Sequence, residues 1–373
     1  MTISSSPELS IIIPVINEAE TLPALFTMLA RQDRVDFEIL LVDGGSVDGT
    51  LPLAGKLAAE SPFECRIVRS EKGRGRQLNA GARAAGTRTL LFLHADSAFS
   101  DPLALRRALD ALSSAIARRG DDRIAGRFAL RFDLPPGRRR FGYYLYESKA
   151  RLDRPECTHG DQGILLRRDF FETIGPFDES ISLLEDTCLA EKIRRMGEWI
   201  LLPAEILTSA RRFETEGLFE RQLLNALIMN FAAIGWDDFF KETVGIYRSQ
   251  DHARKLRLLP YLDKIRELLR VLPRRERCRL WYRTGSYVRQ NVWQFAFALD
   301  ARRNFRRGLP PGEGGTETLE SFERWFRITD HPPGRFAAAV LVWIWFHLTW
   351  LWRRFREERP APPPHPLAPG EIE

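Results

Sequence analysis

Cysteine is scarce in this sequence. Four residues, Cys65, Cys157, Cys188 and Cys278, are scattered over 373 positions with neither CxxC nor metal-ligand spacing. That excludes a disulfide framework and a thiolate zinc module, and it points to reduced thiols in a cytoplasmic chain. Charge of one sign is also lacking: 56 Lys and Arg stand against 50 Asp and Glu, a net charge of +6, with Arg far commoner than Lys. No RNP, zinc-finger or helix-turn-helix signature is present, so no nucleic-acid partner is expected. The N-terminus has no basic leader region, and IIIPV is too short for a signal-peptide core. Internal repeats are absent. What remains is a globular composition with ample apolar residues, long enough for a catalytic domain and a second region.

The first half alternates between strand and helix patterns. Strands are expected at 9–15, 37–43, 64–70 and 87–96, with helices at 19–31, 48–59 and 74–85 between them. Near-continuous apolar strands separated by helices predict an α/β fold, a mostly parallel sheet covered on both faces. Further on, 102–118 reads as a helix, 123–133 alternates like an antiparallel strand, 163–167 and 198–203 are short strands, and 184–196 is an amphipathic helix. From about residue 217 the chain turns helical and aromatic-rich, with helices expected at 218–236 and 256–272.

Each early strand ends in polar punctuation. Strand one closes on Pro14 and is followed by Asn17 and Glu18; strand two ends in VDGGSVDGT; strand three leads to EKGRGRQLNAG; strand four ends in LLFLHADS. Ligands sit at the carboxyl ends of the strands in open α/β sheets. The loops there carry carboxylates (Glu18, Asp43, Asp48, Asp96), glycines and cations (Lys72, Arg74, Arg76). Carboxylates suit a base edge, a ribose hydroxyl or a divalent cation, and glycines let backbone N–H groups approach phosphate. Taken singly, each loop has a plain structural explanation, Asp48 as a helix cap for example. Their convergence on one edge favours a nucleotide-diphosphate ligand with a hard metal. In a strand His94 and Asp96 would point the same way. GRGRQL lacks the third glycine of a dinucleotide fingerprint.

The segments SIIIPVINE, ILLVDGGSVDGT, GRGRQLNAGARAAGTRTLLFLHADS, THGDQGILLRRDFF, LLEDTCLAEKIRR and TSARRFETEG together resemble a family 2 GT-A glycosyltransferase over about residues 9–217. The chain is especially similar to the bacterial radical-SAM/selenodomain-associated transferase subgroup. The resemblance implies a Rossmann-like sheet and an inverting, metal-assisted transfer of sugar from a nucleotide-diphosphate donor to a hydroxyl acceptor. It implies donor binding by Pro14, Asn17, Glu18, Asp43, Arg76, Asp96 and Arg212. The metal, Mn2+ or Mg2+, falls to Asp96 and His94, where His94 replaces the first acid of the family's D-x-D. Asp161 and Gln162 fall on the acceptor side, and Arg167-Arg168 there reads as a helix cap. Asp186, with Glu185, falls on the catalytic acidic dyad, and Asp186 would be the base. Gly44 stands where the family carries a second acid. His94 and Gly44 support an alternative, a non-catalytic, membrane-associated nucleotide-sugar-binding or scaffold protein. A sugar-phosphate nucleotidyltransferase would need a Gly-rich loop with Arg after strand one, which PVINEAE is not. His159 and Asp161 repeat the two-apart pairing of His94 and Asp96, a weak pointer to a transition metal.

The expected organisation is a glycosyltransferase domain at 1–216, a helical aromatic-rich extension at 217–307, a linker at 308–315, a hydrophobic helical segment at 316–357 and a disordered Pro-rich tail at 358–373. Residues 336–352, FAAAVLVWIWFHLTWLW, are mostly apolar and would cover roughly 25 Å as a helix, short of a hydrocarbon core of about 30 Å. RRFREER follows it, which disfavours a single outward crossing. Tryptophans and arginines suit an interfacial helix, placing the enzyme at the inner face of the cell membrane, where its acceptor could be lipid-linked. Residues 223–236 are a second, weaker membrane candidate.

Overall fold

A computed structural model of the chain describes residues 7–135, 137–138, 140–181, 183–248 and 255–357. The tail at 358–373 lies outside them. The chain divides into two compact units, one of residues 1–210 with 304–314 and one of residues 211–303 with 315–373. Most of the expected linker at 308–315 therefore groups with the first unit.

Among the described residues the first unit holds seven strands: β1 (Leu9–Val15), β2 (Phe37–Asp43), β3 (Glu64–Arg69), β4 (Thr89–Phe92), β5 (Ile124–Asp133), β6 (Ile164–Arg167) and β7 (Glu198–Ser209). Its helices are α1 (Leu22–Leu29), α2 (Thr50–Glu60), α3 (Arg74–Ala84), α4 (Ala104–Arg119), α5 (Phe141–Lys149), α6 (Arg168–Ile174) and α7 (Glu185–Met196). The strands form one sheet in the order β3-β2-β1-β4-β6-β5-β7. β1 to β4 run parallel, β6 is antiparallel to both its neighbours, and β5 pairs parallel with β7. This is the mostly parallel, Rossmann-like sheet expected of a GT-A domain. β2 and β4 have no residue above the buried class, which requires cover on both faces. One face packs Ile12, Leu40, Val42, Leu90 and Phe92 against Leu78 of α3, Phe170 of α6 and Leu189 of α7.

Three expectations are corrected. β4 stops at Phe92, and His94 to Ser97 form a turn closed by Ser97 N–H donating to the His94 carbonyl, so His94 and Asp96 do not share a strand face. The reason lies in the neighbouring strand. Leu93 N–H still donates to the Ile12 carbonyl, but the next rung would draw on the amide of residue 14, a proline without one. β5, which alternates like an antiparallel strand, is antiparallel to β6 but parallel to β7, and it is buried along nearly its whole length, Arg127 included at 1% exposed. Arg127 donates to the Leu152 carbonyl, and nine registered positions of β5 pair with parallel β7. β7 runs to Ser209, past Pro203, because the chain bulges there: Leu201 pairs Arg127 while Glu205 pairs Ala129.

The second unit is helical: α8 (Arg211–Glu216), α9 (Leu218–Ala233), α10 (Asp237–Arg248), α11 (Leu259–Val271), α12 (Arg274–Gln290), α13 (Trp293–Arg306, whose last turn belongs to the first unit), α14 (Glu317–Thr329) and α15 (Pro332–Glu357). The expected helix at 218–236 breaks at Gly235, whose φ is +62. Leu227, Phe231, Ile234 and Trp236 lie in the unit's core with Phe239, Leu262, Ile265 and Phe346. Residues 223–236 are thus spent on packing, which removes them as a membrane candidate. Asp300, wholly buried, accepts from the amides of Thr318 and Leu319 and caps α14.

Candidate active site

The carboxyl ends of β1 and β2 are stitched together. Asn17, at φ +56, accepts from Val47 N–H through its side chain and donates its own N–H to Ser46 Oγ. Glu18 N–H donates to Thr50 Oγ1, and its carboxylate accepts from Thr21. Asp43, 4% exposed, accepts from the amides of Gly45 and Ser46 at 3.0 Å and so sets the DGGS turn. Pro14 is half-buried at the end of β1. Gln77 of α3 bridges the two strand ends by donating to the carbonyls of Val15 and Val42. This explains Gly44: a Cβ there would stand 2.8 Å from Gln77 Cδ, so the family's second acid has no room.

The acidic dyad opens α7. Leu184 before it holds a left-handed φ of +68, unusual for leucine, and sets Glu185 and Asp186 in the first helical turn. Asp186 is fixed from two sides: Gly160 N–H donates to Oδ2 at 2.6 Å and Thr187 N–H to Oδ1 at 2.7 Å. Burial pushes its carboxyl up, but His159, the Gly160 amide, Arg74 and His94 together hold it below the usual carboxylate range. Burial depresses the His159 ring in turn, against the pull of Asp186. Gly160 leads a short turn, Gly160–Gln162, between β5 and β6. A Cβ on Gly160 would lie 2.8 Å from Asp186 Oδ2 and 2.9 Å from His94 Nε2, so the turn, the dyad and the HADS turn meet at this residue.

Asp161 follows. Its Oδ1 is buried without a hydrogen-bond partner, and burial, then the charges of Asp186 and Asp96, push its carboxyl up to about 7. Burial also raises Glu185, opposed by Arg74, which pairs with it at 3.3 Å. Carboxylates in such company repel one another, and a divalent cation would relieve them; the unpartnered Oδ1 and the hard oxygen donors fit one. Asp96, exposed at the edge, and half-buried His94 are the residues that would hold it. Among the described residues no three His, Cys, Asp or Glu side chains form a ready-made metal cluster.

Two expected residues of the first unit, Gln162 and Arg76, do not join this group. Gln162 is wholly buried; its amide donates to the carbonyls of Phe128 and Ala150 and its oxygen accepts from His159 N–H. It is a brace for the turn, with no face left for an acceptor. Arg76 pairs with Glu71 on the surface, whereas Arg74, named in the sequence only as a loop cation, reaches the dyad. Arg212 lies in the second unit on α8, 3.9 Å from Glu216. Arg168 caps the end of α3 by donating to the carbonyls of Ala82, Ala85 and Thr87, as a helix cap should. The sequence marks Arg74 only as a loop cation and gives no sign of Gly160 or Gln77.

The model of glycosyl transferase family 2 matches residues 10–175. The PGL/p-HBAD biosynthesis glycosyltransferase of Mycobacterium bovis is 33% identical over 183 residues, 49% of this chain and 68% of that protein. The glycosyltransferase AglE of Haloferax volcanii is 28% identical over 182 residues, 47% of this chain and 57% of its own. Among solved structures, a mannosyltransferase from Pyrobaculum calidifontis in complex with GDP-Man and Mn2+ superposes with a TM-score of 0.45 at 18% identity, covering 94% of this chain and 88% of that one.

Proposed function

The chain belongs to glycosyl transferase family 2 and is a glycosyltransferase, and from that premise we propose that it moves a sugar from a nucleotide-diphosphate donor to a hydroxyl acceptor with inversion at the anomeric carbon. The observation that carries this reading is the Asp186 carboxylate, pinned by two backbone amides at the carboxyl edge of the sheet. Held below the usual range, it is ionised at neutral pH, as a base must be. Asp186 takes the acceptor hydroxyl's proton while the oxygen attacks the anomeric carbon from the face opposite the leaving diphosphate. Asp161 orients the acceptor, and Glu185 anchors Arg74. Asn17, Glu18 and Asp43 shape the pocket for the nucleoside. A divalent cation held by Asp96 and His94 would neutralise charge on the departing diphosphate.

We further propose that the protein works at the cytoplasmic face of a membrane on a lipid-linked acceptor. The support is α15, which among the described residues is the one helix long and apolar enough to cross a bilayer.

The test is a panel of nucleotide sugars, with Mn2+ or Mg2+, on wild type and Asp186→Asn. The expected result is donor hydrolysis or transfer by wild type and, in the variant, retained donor binding with turnover lost. Near-normal turnover by Asp186→Asn refutes the base. Binding without any turnover across the panel refutes this assignment of donor and returns the scaffold reading.

A further inference from the structure

We propose that α15 lies in the plane of an anionic bilayer, one face bound to its own protein and the opposite face sunk among the acyl chains, and that it does not cross. This rests on the reading that the protein works at a membrane and specifies how it is held there.

The two faces of α15 are both apolar but differ in what they touch. Ala339, Phe346 and Arg353 recur at seven-residue intervals and are all buried. They seat the helix on its own unit. Gly285 of α12 packs so closely that a Cβ would lie 2.4 Å from the Ala339 backbone. Trp281 stacks edge-on to Phe346 at 5.5 Å, so α12 and α15 run antiparallel. Trp350 donates its indole N–H to Asp263 of α11 at 2.7 Å and lies under Arg266, and Arg353 pairs with Glu220 of α9.

The opposite face is bare. Phe336, Leu341, Leu348 and Phe355 are between 61% and 66% exposed, with Ile344 and Trp345 between them. This stripe runs about 29 Å along the helix. It is longer and more aromatic than solvent tolerates on a soluble surface. Trp343 and Trp352 sit half-exposed beside it, and Arg354 and Arg356 are exposed at its end. An apolar stripe with tryptophan flanks and an arginine end complements acyl chains under anionic headgroups.

Crossing is excluded by what α15 is packed on. The partner helix α12 carries Arg274, Arg275, Arg277, Arg279, Arg283 and Arg289. While Gly285 stays against Ala339, a transmembrane α15 would drag Arg279 and Arg283 into hydrocarbon, where guanidinium is expelled. An in-plane helix keeps α12 on the water side.

The experiment uses the full chain with phosphatidylcholine vesicles containing graded phosphatidylglycerol. Binding should rise with the anionic fraction and fall with salt. Leu341→Glu with Leu348→Glu should lower partitioning about tenfold or more while thermal stabilisation by nucleoside diphosphate is unchanged. Tryptophan quenching should be stronger with lipids brominated near the headgroup than near the bilayer centre, and a C-terminal tag should stay open to protease outside intact vesicles. No binding to any vesicle overturns the membrane reading itself. Binding with deep quenching and a protected tag keeps the membrane and overturns the in-plane helix. A dimer that the double variant dissociates, without vesicle binding, assigns the face to a second copy and overturns the proposal.

Discussion

Gly160 donates its backbone N–H to the Asp186 carboxylate at 2.6 Å while its α-carbon faces His94 with no room for a methyl group. Gly160 is absent from the residues of left-handed φ, so space and not conformational freedom requires glycine here. One backbone N–H thereby aims the Asp186 carboxylate and fits it against the HADS turn.

Gly160→Ala should therefore act on turnover and not on the donor. The added carbon meets Asp186 Oδ2 and His94 Nε2, the turn shifts, and the base loses its aim. We expect kcat to fall about a hundredfold with the donor Kd changed by no more than about threefold. Steady-state kinetics and calorimetry of donor binding check both; an equal loss of donor affinity would show that the turn belongs to the donor pocket.

Asp161→Asn should change how stability depends on pH. The native carboxyl sits at about 7, raised by burial and by Asp186 and Asp96, so the native state prefers it protonated. That preference stabilises the fold below about pH 4 and is lost as pH rises through 7. In EDTA at pH 8 the asparagine variant should be more stable than wild type, by about 1 kcal/mol or more, with the difference vanishing near pH 4. Mn2+ should narrow that gap at pH 8, because a cation on neighbouring Asp96 favours the ionised Asp161 carboxyl. Melting curves across pH with and without metal read all three.

Gly44→Asp restores an acid that the family carries and should still do harm. Its Cβ displaces Gln77, which stops bridging the Val15 and Val42 carbonyls. A loss of about 2–4 kcal/mol is expected by urea unfolding. Adding Gln77→Ala should cost less than the sum of the two single changes, since the clash is then gone.

Gly285→Val tests the helix pair in the second unit. The side chain has to enter the Ala339 backbone, so α12 and α15 must part. About 3 kcal/mol of destabilisation is expected, with donor binding by the first unit retained. Thermal unfolding followed by tryptophan fluorescence, beside nucleoside diphosphate binding, separates the two.

The alternating half of the fold was legible because buried parallel strands read as unbroken apolar runs, as LSIIIPV and FEILLVD do. The candidate site was expected as a set of loops on one edge, and Asp186, Asp161 and His94 lie near one another there. What was hidden depended on neighbours distant in sequence. The end of β4 is set by the missing amide of Pro14 on another strand. Whether Arg74 or Arg76 reaches the dyad depends on Glu71 and Glu185, 111 residues from Arg74. The motif position of Gln162 suggested a ligand, yet its amide is consumed by two carbonyls, of Phe128 and Ala150. The alternation misled for β5 because Arg127 is buried, with Nη2 donating to the Leu152 carbonyl.

The bulge at Pro203 bears on crowding. β7 is an outermost strand; Leu207 is bridged to Ala98, and the rest of its outer side would offer amides to any neighbouring chain. A proline without an amide and a broken register spoil that template, and β3 at the other edge carries Glu64, Arg66 and Arg69. A chain held at high local concentration meets its own copies far more often than one in dilute solution. Edges that refuse to pair guard against polymerising under that condition.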